Sequence, residues 1–430
     1  MRPLRLRASW ALPVDGPPIQ DAAILIDAEG RIDAVGPNHA IPTPPDALSH
    51  DLGRAVLLPG MVNTHTHLEL TGFEEYAPGG RNDPAFRDWI QTIRRIKEAR
   101  SAEDFLAAAR RGVRDCWAGG VTTIADTGDS GSVIQALAEL GGSGIAYQEV
   151  FGPHPDQLEV SFALLQRRAG ELARFAGGRV RLGVSPHAPY TVSGPLYSEV
   201  AAWAGAEGLP LAVHLAESRE ESEFVTRGAG PFADAWKQRG IPLLDDPRHQ
   251  SPVPSPQSPV TWLDSHHVLG PHTLCIHAIQ LSATDIALLA ARAVSISHCP
   301  LSNARHRHGA APLTALRNAG IRVGLGTDSV ASVARLDLFA EARTARALGG
   351  LSAEEAIALC TLDGAKALGL EGEVGSLTRG KWGDVVAVEA GDSQAGFAAS
   401  PAELVLSAAP GSVRLTVVGG RVVHQSGAPA

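Results

Sequence analysis

His65 and His67 stand two residues apart at the end of segment 57–67, LLPGMVNTHTH. Alternate residues of a strand share a face, so both imidazoles would project from one strand end into the same space. Two neutral imidazoles supply half of a tetrahedral zinc shell, and a catalytic zinc keeps a position for water beside its protein ligands. Spacing alone also allows two hydrogen-bonded structural histidines, because the chain holds 16 histidines and has further close sets at His266-His267 and His306-Arg307-His308.

Polar residues close later strand-like runs as well. His214 follows Pro210-Leu211-Ala212-Val213, with Glu217 three residues on, and His277, His298 and Asp328 end further runs. His65, His67, His214 and Asp328 together offer three nitrogens and a carboxylate oxygen, a donor set for one divalent metal ion, zinc first and ferrous iron second. Such an ion lowers the pKa of bound water towards ~7, which points to hydrolysis at neutral pH. Glu217 beside it reads as a proton relay. Its structural alternative is a carboxylate opening the helical stretch that continues Ser218-Arg219-Glu220-Glu221, where the helix dipole favours negative charge.

These strand ends need a scaffold that brings them to one face. Apolar runs over 55–64, 122–126, 144–150, 180–186, 210–216, 273–279, 293–298 and 321–327 alternate with helix-like segments over 84–117, 133–140, 156–175, 195–206, 218–240, 282–291, 313–319 and 336–368. Eight such units predict a (β/α)8 TIM barrel, whose chemistry collects at the C-terminal strand ends. A doubly wound sheet is the alternative that the pattern leaves open.

Short strands with turns flank the barrel over 3–14, 22–26 and 31–35, and again over 384–389, 404–407, 414–418 and 421–424. The α/β chain is therefore expected to divide into a composite β-sandwich domain, 1–57 plus 371–430, and a barrel over 58–370. The Pro-rich stretch around 245–267 is expected to form an exposed insertion or an active-site flap.

The 430 residues carry a net charge of −9, with 44% hydrophobic and 19% charged residues. No basic run suggests nucleic-acid binding, and no apolar stretch reaches the ~20 residues needed to cross a bilayer. The N-terminus lacks a signal-peptide core, so the cytoplasm is the expected compartment. Cys116, Cys275, Cys299 and Cys360 form no CxxC unit and are expected to pack as small apolar groups.

The segments PGMVNTHTHLE, HLAE, SHCPLSN and GTDS resemble the amidohydrolase superfamily, in its cytosine-deaminase and chlorohydrolase-like branch. The resemblance spans nearly the whole chain, with GSLTRGKWGDVVAV and VVGGRVV similar to that family's composite β-sandwich. It implies that His65, His67, His214 and Asp328 ligate the metal while Glu217, His277 and Asp328 surround its water. Glu217 would relay a proton to a ring nitrogen of an aminated heterocycle. Dinuclear members bridge two metals through a lysine on the fourth strand. None of this chain's four lysines, Lys97, Lys237, Lys366 and Lys381, stands there, so a mononuclear centre is expected.

The segment SPHAPYT is similar to that of methylthioadenosine and S-adenosylhomocysteine deaminases, which implies that His187 contacts the ribose. The ligand-binding glutamate which those enzymes carry after the first strand is missing. Glu69 in HTHLEL instead resembles the aminodeoxyfutalosine deaminases of the futalosine route to menaquinone.

The expected partner is therefore a small-molecule amino-purine nucleoside, best matched by 6-aminodeoxyfutalosine. Glu69 would face the purine or ribose, Trp89 an aromatic ring, His298 the substrate, and Arg87, Arg94 or Arg305 a carboxylate, which arginine grips bidentately. Alternatives are methylthioadenosine or S-adenosylhomocysteine deamination, guanine deamination, s-triazine hydrolysis and, in another class, a non-catalytic ligand-binding barrel. A homodimer stays open.

Overall fold

The computed structural model describes residues 1–80, 83–243, 257–390 and 400–426. Strands β1 (Leu4–Ala11), β2 (Ile19–Ile26), β3 (Ile32–Pro37), β4 (Leu48–Asp51) and β5 (Ala55–Pro59) come first. There follow β6 (Met61–Thr66), β7 (Val121–Gly128), β8 (Gly144–Val150), β9 (Val180–Pro186), β10 (Leu211–Leu215), β11 (Thr273–His277), β12 (Ser295–His298) and β13 (Arg322–Leu325). Strands β14 (Val385–Glu389), β15 (Val413–Val418) and β16 (Arg421–Gln425) close the series.

Strands β6 to β13 pair in sequence order into a parallel sheet. A parallel bridge between Thr66 and Asp328 joins its ends, and the Thr327 and Asp328 amides both donate to the His65 carbonyl at 3.0 Å. The result is the expected (β/α)8 barrel. A second sheet, ordered β16-β15-β14-β5-β1-β2-β3 with β4 on β1, takes strands from both chain ends.

The expected strand over 55–64 is two strands in different sheets. Gly60 divides them, because a Cβ there would collide with the Thr122 side chain. Strand β5 is apolar throughout because both its faces are buried. Ala55 and Leu57 enter the core of the chain-end sheet, while Val56 and Leu58 pack into the barrel's outer core. Val385 and Ala387 against Val386 and Val388 of β14 alternate in the same way.

Other elements also differ from expectation. Segment 84–117 forms two helices, α1 (Phe86–Lys97) and α2 (Ala102–Ala118), because Ser101 and Asp104 make a reciprocal capping box that starts the second. Segment 218–240 is divided into helices Arg219–Arg227 and Gly230–Gln238, and 336–368 into three helices. The expected strand at 404–407 is instead part of helix Pro401–Leu406, which Ser400 caps from the Glu403 amide with proline at the first turn.

Residues 244–256 of the Pro-rich segment lie outside the described residues. From Ser258 onward the segment is not an exposed loop. Ser258 caps helix Pro259–Ser265, whose Val260, Trp262 and Leu263 are buried. All four cysteines are buried and free. Among the described residues, no helix is long and apolar enough to cross a membrane.

Candidate metal centre and active-site cavity

The C-terminal ends of β6, β10, β11 and β13 bring five predicted residues together. His65 ring centroids lie 4.7 Å from His67, 5.0 Å from His214 and 5.7 Å from His277. Asp328 Oδ1 lies 3.7 Å from His65 Nε2 and 3.6 Å from His67 Nε2. The backbone here is unusual: Ala216, His277, Ala278 and Asp328 all have positive φ, between 51° and 71°. Strained non-glycine backbone of this kind clusters at working sites, where the surrounding structure holds it.

The imidazoles are pre-oriented. His67 Nδ1–H donates to the Thr127 carbonyl at 2.8 Å, and His214 Nδ1–H to the His187 carbonyl at 3.2 Å. His277 Nδ1 lies 2.9 Å from Asn303 Oδ1. Because carbonyl and amide oxygens only accept, each ring carries its proton on Nδ1 and presents the Nε2 lone pair inward. Burial pushes His65 down to about 4 and lowers His67 and His214, so these rings are neutral. Burial opposes the charge of Asp328, but His65 and His67 outweigh it and hold the carboxyl well below its usual range. Ser302 Oγ at 2.6 Å and the Ser329 amide at 2.7 Å also donate to it.

Both ring nitrogens of His65 are buried with no hydrogen-bond partner among the described residues. An orphaned imidazole beside an anionic carboxylate and two more inward lone pairs fits a divalent cation. Neutral imidazole nitrogens and one carboxylate oxygen are the ligands such a cation takes.

Glu217 faces this cluster. Its Oε1 lies 3.6 Å from His277 Nε2 and 3.4 Å from His308 Nδ1. Burial alone would raise its pKa, yet His277 and His308 hold it at about 2. Glu217 precedes its helix, with Ser218 as the cap. The Glu221 carboxylate accepts from the Ala216 and Glu217 amides at 2.7 and 2.8 Å, pinning the backbone that aims Glu217.

A cavity of about 590 Å3 opens over these groups. Phe86, Trp89, Ile90, Ile93, Arg94 and Lys97 line it from α1 at i, i+3, i+4, i+7, i+8 and i+11, one face of the helix. Trp89 packs against His306 with ring centroids 4.5 Å apart. His187 lines the cavity from beyond β9, its Nδ1 on Thr191 Oγ1 at 2.8 Å.

The remaining expected contacts stand differently with respect to the cavity. Glu69 lines the cavity but is only 1% exposed, and its carboxylate is taken by the Lys97 ammonium and the Ser130 hydroxyl and amide. Burial works to raise its pKa, and Lys97 with Ser130 brings it down to about 2. His298 is fully buried and does not line the cavity; it meets Asn303 Nδ2 at 3.4 Å, behind His277. Arg87 and Arg305 are not cavity residues, and Arg305 donates to the Pro78 carbonyl at 3.0 Å. Arg94 reaches the cavity rim, with Nε 3.2 Å from Glu98.

Sequence reasoning missed Lys97, Ser130, Asn303, His306, His308 and Glu149. The scarcity of lysine was the one available signal for Lys97. His308 was visible only as part of a histidine cluster.

Residues 56–423 match the Amidohydrolase family. The chain is 30% identical to the 5-methylthioadenosine/S-adenosylhomocysteine deaminase of Symbiobacterium thermophilum, covering 99% of this chain and 94% of that one. It is 33% identical to the aminodeoxyfutalosine deaminase of Deinococcus radiodurans, over 74% of this chain and 76% of the other. The crystal structure of an adenosine deaminase from Xanthomonas campestris with bound zinc superposes with a TM-score of 0.82 at 25% identity, covering 97% of this chain and 92% of that one. With the barrel, the chain-end sheet and the match across 56–423 in agreement, the chain belongs to the amidohydrolase family.

Proposed function

We propose that this enzyme hydrolytically deaminates the 6-amino group of an adenine nucleoside bearing a bulky 5′ substituent. The observation that carries the reading is the Glu217 carboxylate, 3.6 Å from His277 Nε2 and facing the His65, His67, His214 and Asp328 cluster on the floor of one large cavity. His65, His67, His214 and Asp328 would hold the metal, zinc before ferrous iron. When bound, such an ion supplies a water acidified towards ~7.

The chain's own groups manage the protons. Asp328 accepts one from the attacking water, and His277, fixed by Asn303, aligns that water through Nε2. Glu217, ionised at rest, takes the water's other proton and carries it to the ring nitrogen beside the amino-bearing carbon, which makes that carbon electrophilic. The water oxygen adds there, the proton held by Asp328 passes to the amino nitrogen, the carbon–nitrogen bond breaks and ammonia leaves, giving the 6-oxo product.

The leading substrate is 6-aminodeoxyfutalosine, supported by the HTHLEL segment and by the Deinococcus relative of that name. Arg94 at the rim would face its carboxylate. A second reading, 5′-methylthioadenosine or S-adenosylhomocysteine, is favoured by the Symbiobacterium relative, which covers more of the chain, and by the apolar shelf of Phe86, Trp89, Ile90 and Ile93.

Zinc-loaded protein should release ammonia from 6-aminodeoxyfutalosine far faster than from methylthioadenosine or adenosine. Reversed rates would select the second reading. Absence of turnover on every amino-purine and amino-pyrimidine would favour a ligand-binding barrel.

A further inference from the structure

The ligand-binding glutamate expected after the first barrel strand is missing, and Glu69 cannot replace it because Lys97 and Ser130 occupy its carboxylate. A different carboxyl group is available. Glu149 is the penultimate residue of β8 and lines the cavity, is 7% exposed, and has a buried Oε1 without a hydrogen-bond partner among the described residues. The neighbouring strand end carries His187, whose amide donates to the Val150 carbonyl at 3.3 Å. The Thr191 hydroxyl donates to the Ala188 carbonyl and so accepts from His187 Nδ1–H, which leaves Nε2 as an acceptor.

A carboxyl oxygen of Glu149 and a ring nitrogen of His187 lie within 4.8 Å of each other and of a His214 nitrogen. A second metal is one use for such a trio. The His214 Nδ1–H is committed to the His187 carbonyl, however, so its single free nitrogen cannot serve both this trio and the cluster with His65, His67 and Asp328. That leaves two polar groups on adjacent strand ends, both facing the cavity beside the metal cluster.

We propose that Glu149 and His187 form a clamp for the vicinal 2′,3′-diol of the substrate ribose, with Glu149 taking one hydroxyl and His187 Nε2 the other. This rests on the nucleoside-deaminase reading above. The clamp reads a part common to both substrates considered there, while the α1 shelf reads the 5′ substituent. A site built to bind a hydroxyl rejects the analogue lacking it, because its own buried polar atoms are then left unpaired.

The test compares adenosine with its 2′-deoxy and 3′-deoxy analogues on the zinc-loaded enzyme and two variants. Wild type should prefer adenosine by about 10- to 100-fold in kcat/KM over at least one analogue. Glu149→Leu should reduce that preference to within about threefold, with metal content and far-UV circular dichroism unchanged. Glu149→Gln, which still offers a donor and an acceptor, should retain most of it.

Equal turnover of all three nucleosides by wild type would overturn the clamp and leave the deaminase reading standing. Preference persisting in Glu149→Leu, or loss of bound metal in that variant, would also overturn it. If Glu149→Leu does not fold, Glu149→Ala is read in its place, and preference persisting there overturns the clamp. No turnover of any adenine nucleoside would remove the deaminase reading and the clamp together.

Discussion

Glu69 directs its carboxylate at Lys97, so the charge nearest His65 and His67 in sequence is neutralised inside the wall of the cavity. Lys97 is 19% exposed and also meets Asp129 at 2.6 Å. Removing one partner of such a buried pair costs about 3–5 kcal/mol, because the other charge stays uncompensated. Lys97→Met should therefore lower Tm sharply, and the double variant with Glu69→Gln should recover part of the loss. A double-mutant cycle from denaturant midpoints measures the coupling.

The same pair sets an acid limit. Glu69 falls from an ordinary 4.5 to about 2, against the opposing effect of its burial. Its contribution to stability is present above pH 4.5 and is lost as pH falls towards 2. Wild type should show this slope in unfolding free energy against pH, while Glu69→Gln lacks that contribution. An unchanged slope in the variant would remove Glu69 from the acid response.

Glu217→Gln keeps the shape of the side chain but removes its proton carrier. It should retain bound metal while kcat falls by about 10²–10⁴. Elemental analysis beside steady-state rates checks both halves, and undiminished kcat would exclude Glu217 from proton transfer.

Asn303 acts one layer behind the chemistry. Its Oδ1 accepts from His277 Nδ1–H, and its Nδ2 lies 3.4 Å from His298 Nδ1. Asn303→Leu should reduce kcat by about 10- to 100-fold through a misdirected His277, a typical cost of losing such support. A shifted pH–rate profile distinguishes this from simple loss of folded protein.

The α1 shelf predicts selectivity at the 5′ end. Trp89→Ala should raise KM about three- to tenfold for a substrate with a bulky 5′ group, in line with the ~0.5–1.5 kcal/mol of an aromatic contact. Adenosine, which does not extend there, should be nearly unaffected. Equal effects on both substrates would place the 5′ group elsewhere.

Metal removal should abolish turnover and lower Tm, with both restored by zinc, because an ion held only by the folded chain stabilises it by mass action. A chelated protein with unchanged Tm would argue against a site built from His65, His67, His214 and Asp328.

The site was legible because five of the apolar runs stop at or near polar residues that a barrel turns towards one face. The division of β5 from β6 was not, since strands buried on both faces lose the alternation that marks register, and only Gly60 signalled it. The helix at 401–406 was marked by Ser400 and Pro401, a capping signal that the apolar run outweighed. Residue type placed arginines near the substrate, but type carries no direction. Arg305 instead ties to Pro78, and the pairing of Lys97 with Glu69 joins residues too far apart for any local pattern.

The division at Gly60 also bears on the order of synthesis. Strand β5, which leads directly into the histidines, pairs with β14 on one side and β1 on the other. A nascent chain therefore carries His65 and His67 long before it has made β14, the strand that holds their approach in register. Metal affinity during translation should rise late, when the C-terminal strands have joined the sheet begun by the N-terminal ones.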